Sequence, residues 1–236
     1  MGHGLVSIAA DWRENCQRAS PPPLPVASET GRPVLYLDAG LHVDARQIGL
    51  MLDWFGDPPV AVYGFEANPD YAERCREKFS GGARVNIVNV ALVSSRHDGP
   101  TTELYLDDKR GLGDSLFPGN GSRYISVPTV RLSSFLTSRD LDQAKQATIL
   151  RMNIEGAETY VIDDLIDAGM IDRFVDFNGS WDDVEKIHPA AALRFREMLA
   201  AHKIDHLLFN SRHSGGLFAP LREALIRSDI SGCIRG

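Results

Sequence analysis

The chain has no run approaching the roughly 20 apolar residues that a membrane span needs, and its first residues lack the basic start and continuous apolar stretch of a signal peptide. A cytoplasmic protein that does not enter membranes is the expectation. Basic residues never gather in runs, and acids outnumber them 32 to 25, for a net charge of −7. Such a surface does not attract a polyanion in bulk, so no nucleic-acid partner is expected. Cysteine is scarce. Cys16, Cys75 and Cys233 are odd in number and far apart, which fits reduced structural thiols better than a disulfide framework or a zinc site. His202 and His206 have the spacing of one helix face, but Lys203-Ile204-Asp205 between them reads as a helix end, and no metal is expected.

What is present is ordinary globular material: 236 residues, 43% hydrophobic and 24% charged, enough for one larger domain that leaves a homodimer open. Residues 1–30 carry a short helical pattern at Ala9 to Arg18 and then Ser20-Pro21-Pro22-Pro23-Leu24-Pro25, whose prolines favour an extended connector. That segment reads as an arm or a lid, and residues 31–236 as the domain.

Val34 to Asp38 is a continuous apolar run ending in a turn, as in a strand buried on both faces. Asp44 is placed to cap a helix presenting Ile48, Met51, Leu52 and Phe55 on one face. The unit repeats: Val60 to Phe65 as strand, Asn68 as N-cap, Pro69 as first helical residue, and Gly81-Gly82 as helix end. Val85 to Val93 reads as a third strand. Thr101 to Ser133 alternates in the manner of a hairpin, around a loop with Gly111, Gly113, Gly119 and Gly121; Asp114-Ser115 in it reads as a lid over a binding site or as a flexible tip. Strands resume at Thr148 to Asn153 and Phe174 to Phe177, with helices at Ala157 to Ala168 and Pro189 to His202. His206 to Asn210 and Leu217 to Ala219 form a candidate terminal antiparallel pair. This order predicts an α/β fold with a doubly wound, mostly parallel, Rossmann-like sheet, a hairpin insertion and a terminal antiparallel strand.

Ligands of such sheets bind beyond the carboxyl ends of the strands. The residues there are Asp38-Ala39-Gly40, Glu66-Ala67-Asn68, Asn89-Val90-Ala91 and Asn153-Ile154-Glu155. A dinucleotide needs a glycine-rich turn so that backbone can approach its pyrophosphate, and this turn has Gly40 alone, with an acid at Asp44. S-adenosyl-L-methionine carries a sulfonium cation and no phosphate, which suits a single-glycine, acidic turn better. Glu66, at the end of the second strand, is placed to accept hydrogen bonds from both ribose hydroxyls.

The motifs Leu37-Asp38-Ala39-Gly40, Gly64-Phe65-Glu66-Ala67-Asn68-Pro69, Asn89-Val90-Ala91-Leu92 and Leu150-Arg151-Met152-Asn153-Ile154-Glu155-Gly156-Ala157-Glu158 resemble the ordered motifs of the FkbM-type S-adenosylmethionine-dependent methyltransferases, over about residues 33 to 180. The resemblance implies a class I methyltransferase fold and O-methylation of a sugar, glycan or secondary-metabolite hydroxyl. Asp38, Ala39, Gly40, Glu66, Ala67, Asn89 and Ala91 would hold the cofactor. Glu155 would act as base, beside Asn153, with His188 reaching the acceptor; the structural reading of Glu155 is a helix-start carboxylate that satisfies backbone N–H groups. The family's usual glycine, lysine and aspartate are here Asp44, Arg151 and Asn153. Those changes motivate the alternative of a methyltransferase-like binding protein without turnover.

Overall fold

The computed structural model describes residues 34–55, 60–82, 84–107, 113–118, 123–141, 146–179, 184 and 189–202. The arm, the terminal antiparallel pair, Cys16, Cys233 and His188 lie outside these residues.

Five parallel strands make the main sheet: β1 (Val34–Ala39), β2 (Val60–Phe65), β3 (Val85–Val88), β7 (Ala147–Met152) and β8 (Phe174–Gly179), in the order β3-β2-β1-β7-β8. Helices α1 (Arg46–Phe55) and α2 (Pro69–Lys78) follow β1 and β2, and α4 (Glu158–Asp167) follows β7. This is the doubly wound, Rossmann-like arrangement that the alternating pattern predicts. Every residue of β1 and of β7 is buried, because helices cover both faces. The period of two divides them. Val34, Tyr36 and Ile149 pack with Ile48, Met51 and Cys75 of α1 and α2, while Leu35, Leu37, Leu150 and Met152 pack with Val161, Ile162 and Leu165 of α4. Each such fully buried aliphatic side chain contributes roughly 1.5–3 kcal/mol, which fixes the register.

A second sheet, β4 (Ala91–Leu92), β6 (Arg123–Val130) and β5 (Thr101–Leu106), runs in the order β4-β6-β5. Its β5–β6 pair is the expected antiparallel hairpin, and Ala91, Leu104 and Val127 form its own small core. After β6 comes α3 (Leu132–Ser138), fastened to α4 where the Ser133 N–H and hydroxyl both donate to Asp164, at 2.8 and 2.7 Å. The last described helix is α5 (Pro189–Ala201), which buries Phe195. Among the described residues no helix is long and apolar enough to cross a membrane.

Three local expectations need correction. Val85 to Val93 is not one strand, because the Asn89 side chain donates to the Glu66 and Ala67 carbonyls, both at 2.9 Å, and the chain breaks there to pass from one sheet to the other. Asp44 is not the cap of α1. The helix begins at Arg46 after Ala45, whose φ is +39°, and the Asp44 carbonyl accepts from Lys78 Nζ instead. Helix α2 begins as expected, with the Asn68 side chain accepting from Asp70 N, but it ends at Lys78, before Gly81-Gly82.

Candidate active site

The order of winding reverses beside β1, with β2 on one side and β7 on the other. A crevice of about 700 Å³, counting its open mouth, lies there. Its walls come from the turns after β1, β2 and β7, from the β3–β4 break, and from the hairpin segment around Asp114.

The turn after β1 depends on its glycine. Gly40 has φ +83°, and a Cβ there would stand 2.0 Å from the Asn153 carbonyl oxygen. Gly40 N donates to Phe65 O and Asn153 N donates to Ala39 O, each at 2.9 Å, so three strands meet at this point. Below the turn, Asp38 and Arg151 are register partners on β1 and β7. Arg151 Nη1 donates to Asp38 Oδ1 at 2.9 Å and to the Gly40 carbonyl at 2.8 Å. Burial pushes the Asp38 carboxyl up, and the guanidinium opposes that shift. The pair is an internal strut: it costs desolvation, and its partners make it expensive to break.

Glu66 closes the turn from the other side. Its Oε2 accepts from Leu41 N and His42 N, both at 3.0 Å, and its Oε1 accepts from Asn68 N at 2.9 Å. Burial raises this carboxyl, and the three backbone donors pull it back.

Beyond β7 the chain makes a strained turn. Glu155 has φ +51° and Gly156 φ +101°; a non-glycine residue there costs on the order of 1–2 kcal/mol and persists only where its surroundings over-determine it. They do. Glu158, fully buried, takes Ile154 N at 2.7 Å and Gly156 N at 2.8 Å on its two oxygens, and Ser115 Oγ donates to the Glu155 carbonyl at 2.8 Å. The helix-start task considered for Glu155 is therefore done by Glu158.

Of the residues expected to form the site, Ala39, Gly40, Glu66, Ala67, Ala91, Asn153 and Glu155 meet around the crevice. Asp38 and Asn89 stand behind its wall as buttresses. Sequence reasoning did not place His42, Tyr71 and Leu116 in the wall. The His42 and Tyr71 rings approach to 5.3 Å, and Tyr71, three residues after the N-cap, sits on the first turn of the helix behind Glu66. That spacing was the one available signal. Asp114 is brought in by two ties, accepting from Asn68 Nδ2 and from Asp107 N, both at 2.8 Å.

The walls thus carry three carboxylates, Glu66, Asp114 and Glu155, on an apolar lining of Phe65, Val90, Leu92, Leu104 and Leu116, with no Lys or Arg among the described residues that line them. The methyltransferase FkbM domain matches residues 42–195, more than half of the chain. The chain belongs to the FkbM methyltransferase family. No curated protein and no solved structure matches it. The FkbM match begins just after the Gly40 turn and runs into α5, so it contains Glu66, the β3–β4 break, the hairpin and the Glu155 turn. Strand β1 and Gly40 precede it and join the same crevice through the hydrogen bonds just described.

Proposed function

We propose that this FkbM methyltransferase uses S-adenosyl-L-methionine and methylates a hydroxyl of a sugar, glycan or secondary metabolite. The observation that carries the cofactor is the charge of the crevice: three carboxylates and no described Lys or Arg suit a sulfonium cation and oppose a phosphate. The residues fit the group. Glu66 has an acceptor direction left for a ribose hydroxyl, Ala67, Val90, Ala91 and Leu92 offer an apolar slot for a flat base, and Gly40 and Asn153 line the same crevice. Bound there, the cofactor supplies an electrophilic methyl group on a positively charged sulfur.

The chain's own residues orient and dehydrate. Holding an acceptor oxygen in line within an apolar pocket accounts for most of the acceleration such a displacement needs. We assign removal of the proton of a hydroxyl acceptor to Glu155, which lines the crevice in a strained turn held by Glu158 and Ser115.

The test is calorimetric titration with S-adenosylmethionine and S-adenosylhomocysteine, followed by transfer of labelled methyl to a panel of neutral sugars, glycans and polyols. Micromolar binding and label in a hydroxyl product are expected, lost in Glu155→Gln. Binding of neither ligand refutes the cofactor assignment. Binding without transfer to any acceptor would favour the relative without turnover.

A further inference from the structure

The geometry points to a second ribose-recognising carboxylate: we propose that Asp114, delivered by the β5–β6 hairpin, shares the hydroxyl pair of the adenosyl ligand with Glu66. This rests on the cofactor reading above.

Glu66 alone does not have the acceptors for two hydroxyls. A carboxylate offers about four lone-pair directions. Leu41 N and His42 N occupy Oε2, and Asn68 N occupies one side of Oε1. One direction remains, on Oε1, and it serves one hydroxyl. A neighbouring hydroxyl facing a buried wall without an acceptor would forfeit its hydrogen bond to water, so a second acceptor is required beside the first.

Asp114 stands in that place. Asn68 holds both acids at once, with its backbone N–H on Glu66 Oε1 at 2.9 Å and its side-chain amide on Asp114 Oδ2 at 2.8 Å. Asp107 N takes Asp114 Oδ1 at 2.8 Å, which fixes the carboxylate's orientation and leaves each oxygen one lone-pair direction. Both acids line the crevice. Two carboxylates on one residue repel each other, and no described Lys or Arg in the wall offsets that. Two hydroxyl donors from a vicinal diol would satisfy both. The hairpin thereby becomes part of the binding site, and its Asp114 a determinant of specificity for a ribose over a deoxyribose.

The competing role for Asp114 is a strut that ties the hairpin to α2. A chemical double-mutant cycle separates the two. The probes are S-adenosylhomocysteine, which is electrically neutral overall, and its 2′-deoxy and 3′-deoxy forms, titrated calorimetrically into the whole protein and into Asp114→Asn. The wild type is expected to lose about tenfold in affinity for each deoxy form. The variant is expected to lose about tenfold for S-adenosylhomocysteine but less than about twofold for the deoxy form lacking the hydroxyl that Asp114 accepts from. An equal loss for all three ligands, or no loss for any, overturns the proposal. Retention of either deoxy form within about twofold by the wild type overturns it without a variant, should Asp114→Asn fail to fold. Absence of S-adenosylhomocysteine binding to the wild type strikes instead at the cofactor reading, so the two failures are distinct.

Discussion

Replacing Gly40 with alanine attacks the point where three strands converge. The new Cβ would lie 2.0 Å from the Asn153 carbonyl oxygen and 2.8 Å from its carbon, so something must retreat by more than about 1 Å to reach a tolerable contact. What it meets is backbone, not the far end of a side chain. Either Gly40 N leaves Phe65 O or Asn153 N leaves Ala39 O, both now 2.9 Å bonds. Alanine at φ +83° adds conformational strain of about 1–2 kcal/mol, overpacking contributes roughly 1–3 kcal/mol, and one lost backbone bond about 1 kcal/mol. The expected loss is therefore about 3–6 kcal/mol, or a melting point lower by roughly 6–24 °C. Urea denaturation measures it, with Gly49→Ala as the control. Gly49 lies in α1 with nothing within 4 Å of its would-be Cβ, so alanine there should stabilise by about 0.5–1 kcal/mol. A Gly40→Ala protein within about 1 kcal/mol of wild type would falsify the claim that this glycine is sterically required.

Arg151→Met strands the buried Asp38 carboxylate, and a loss of about 3–5 kcal/mol is expected at neutral pH. Burial, already raising Asp38 in the intact pair, is then unopposed by the guanidinium. The folded state holds the proton to higher pH than the unfolded chain, so stability falls as pH rises between the two pKa values. Urea midpoints should show a smaller deficit near about pH 4 than near neutrality, and a deficit that does not depend on pH would contradict the pairing. Cys75, whose thiol burial pushes up to about 12 with Glu66 adding to the shift, donates to the His42 carbonyl at 3.0 Å. Peptide mass spectrometry after iodoacetamide at mildly alkaline pH should find Cys75 unlabelled until urea unfolds the protein. Labelling of native protein at the rate of a free thiol would show that the site opens.

The sequence was most readable where one physical demand dominated. Strands β1 and β7 are covered on both faces, so all their positions but Thr148, whose buried hydroxyl has no hydrogen-bond partner, are apolar or internally paired, and the runs Val34 to Leu37 and Thr148 to Met152 announced it. Even Asp38 and Arg151 obey this demand. Asp38 looks like a site residue in a one-dimensional reading because it ends an apolar run, but register sets it beside Arg151 under the turn. Where two demands compete, the run of letters misleads. Val85 to Val93 is apolar enough for one strand, and its interruption turns on Asn89, whose two donors find acceptors only once β2 has brought Glu66 and Ala67 alongside.

Carboxylates were the least readable feature, since their roles follow from which N–H groups the folded backbone turns toward them. Glu155 and Glu158 are three residues apart, and either could have satisfied the start of α4. The chain resolves the choice by bending through φ +51° at Glu155, which sends the Ile154 and Gly156 N–H groups to Glu158. Asp114 is further from view still: 46 residues separate it from Asn68, and the bridge between Tyr105 and Ser115, with the bond from Asp107 N, brings it to the crevice. The acids that line the crevice are thus set by turn geometry and by contacts distant in sequence. Substitutions at Glu158, Ser115 or Asn68, none of them a reacting group, should for that reason alter the site as strongly as changes in the acids themselves.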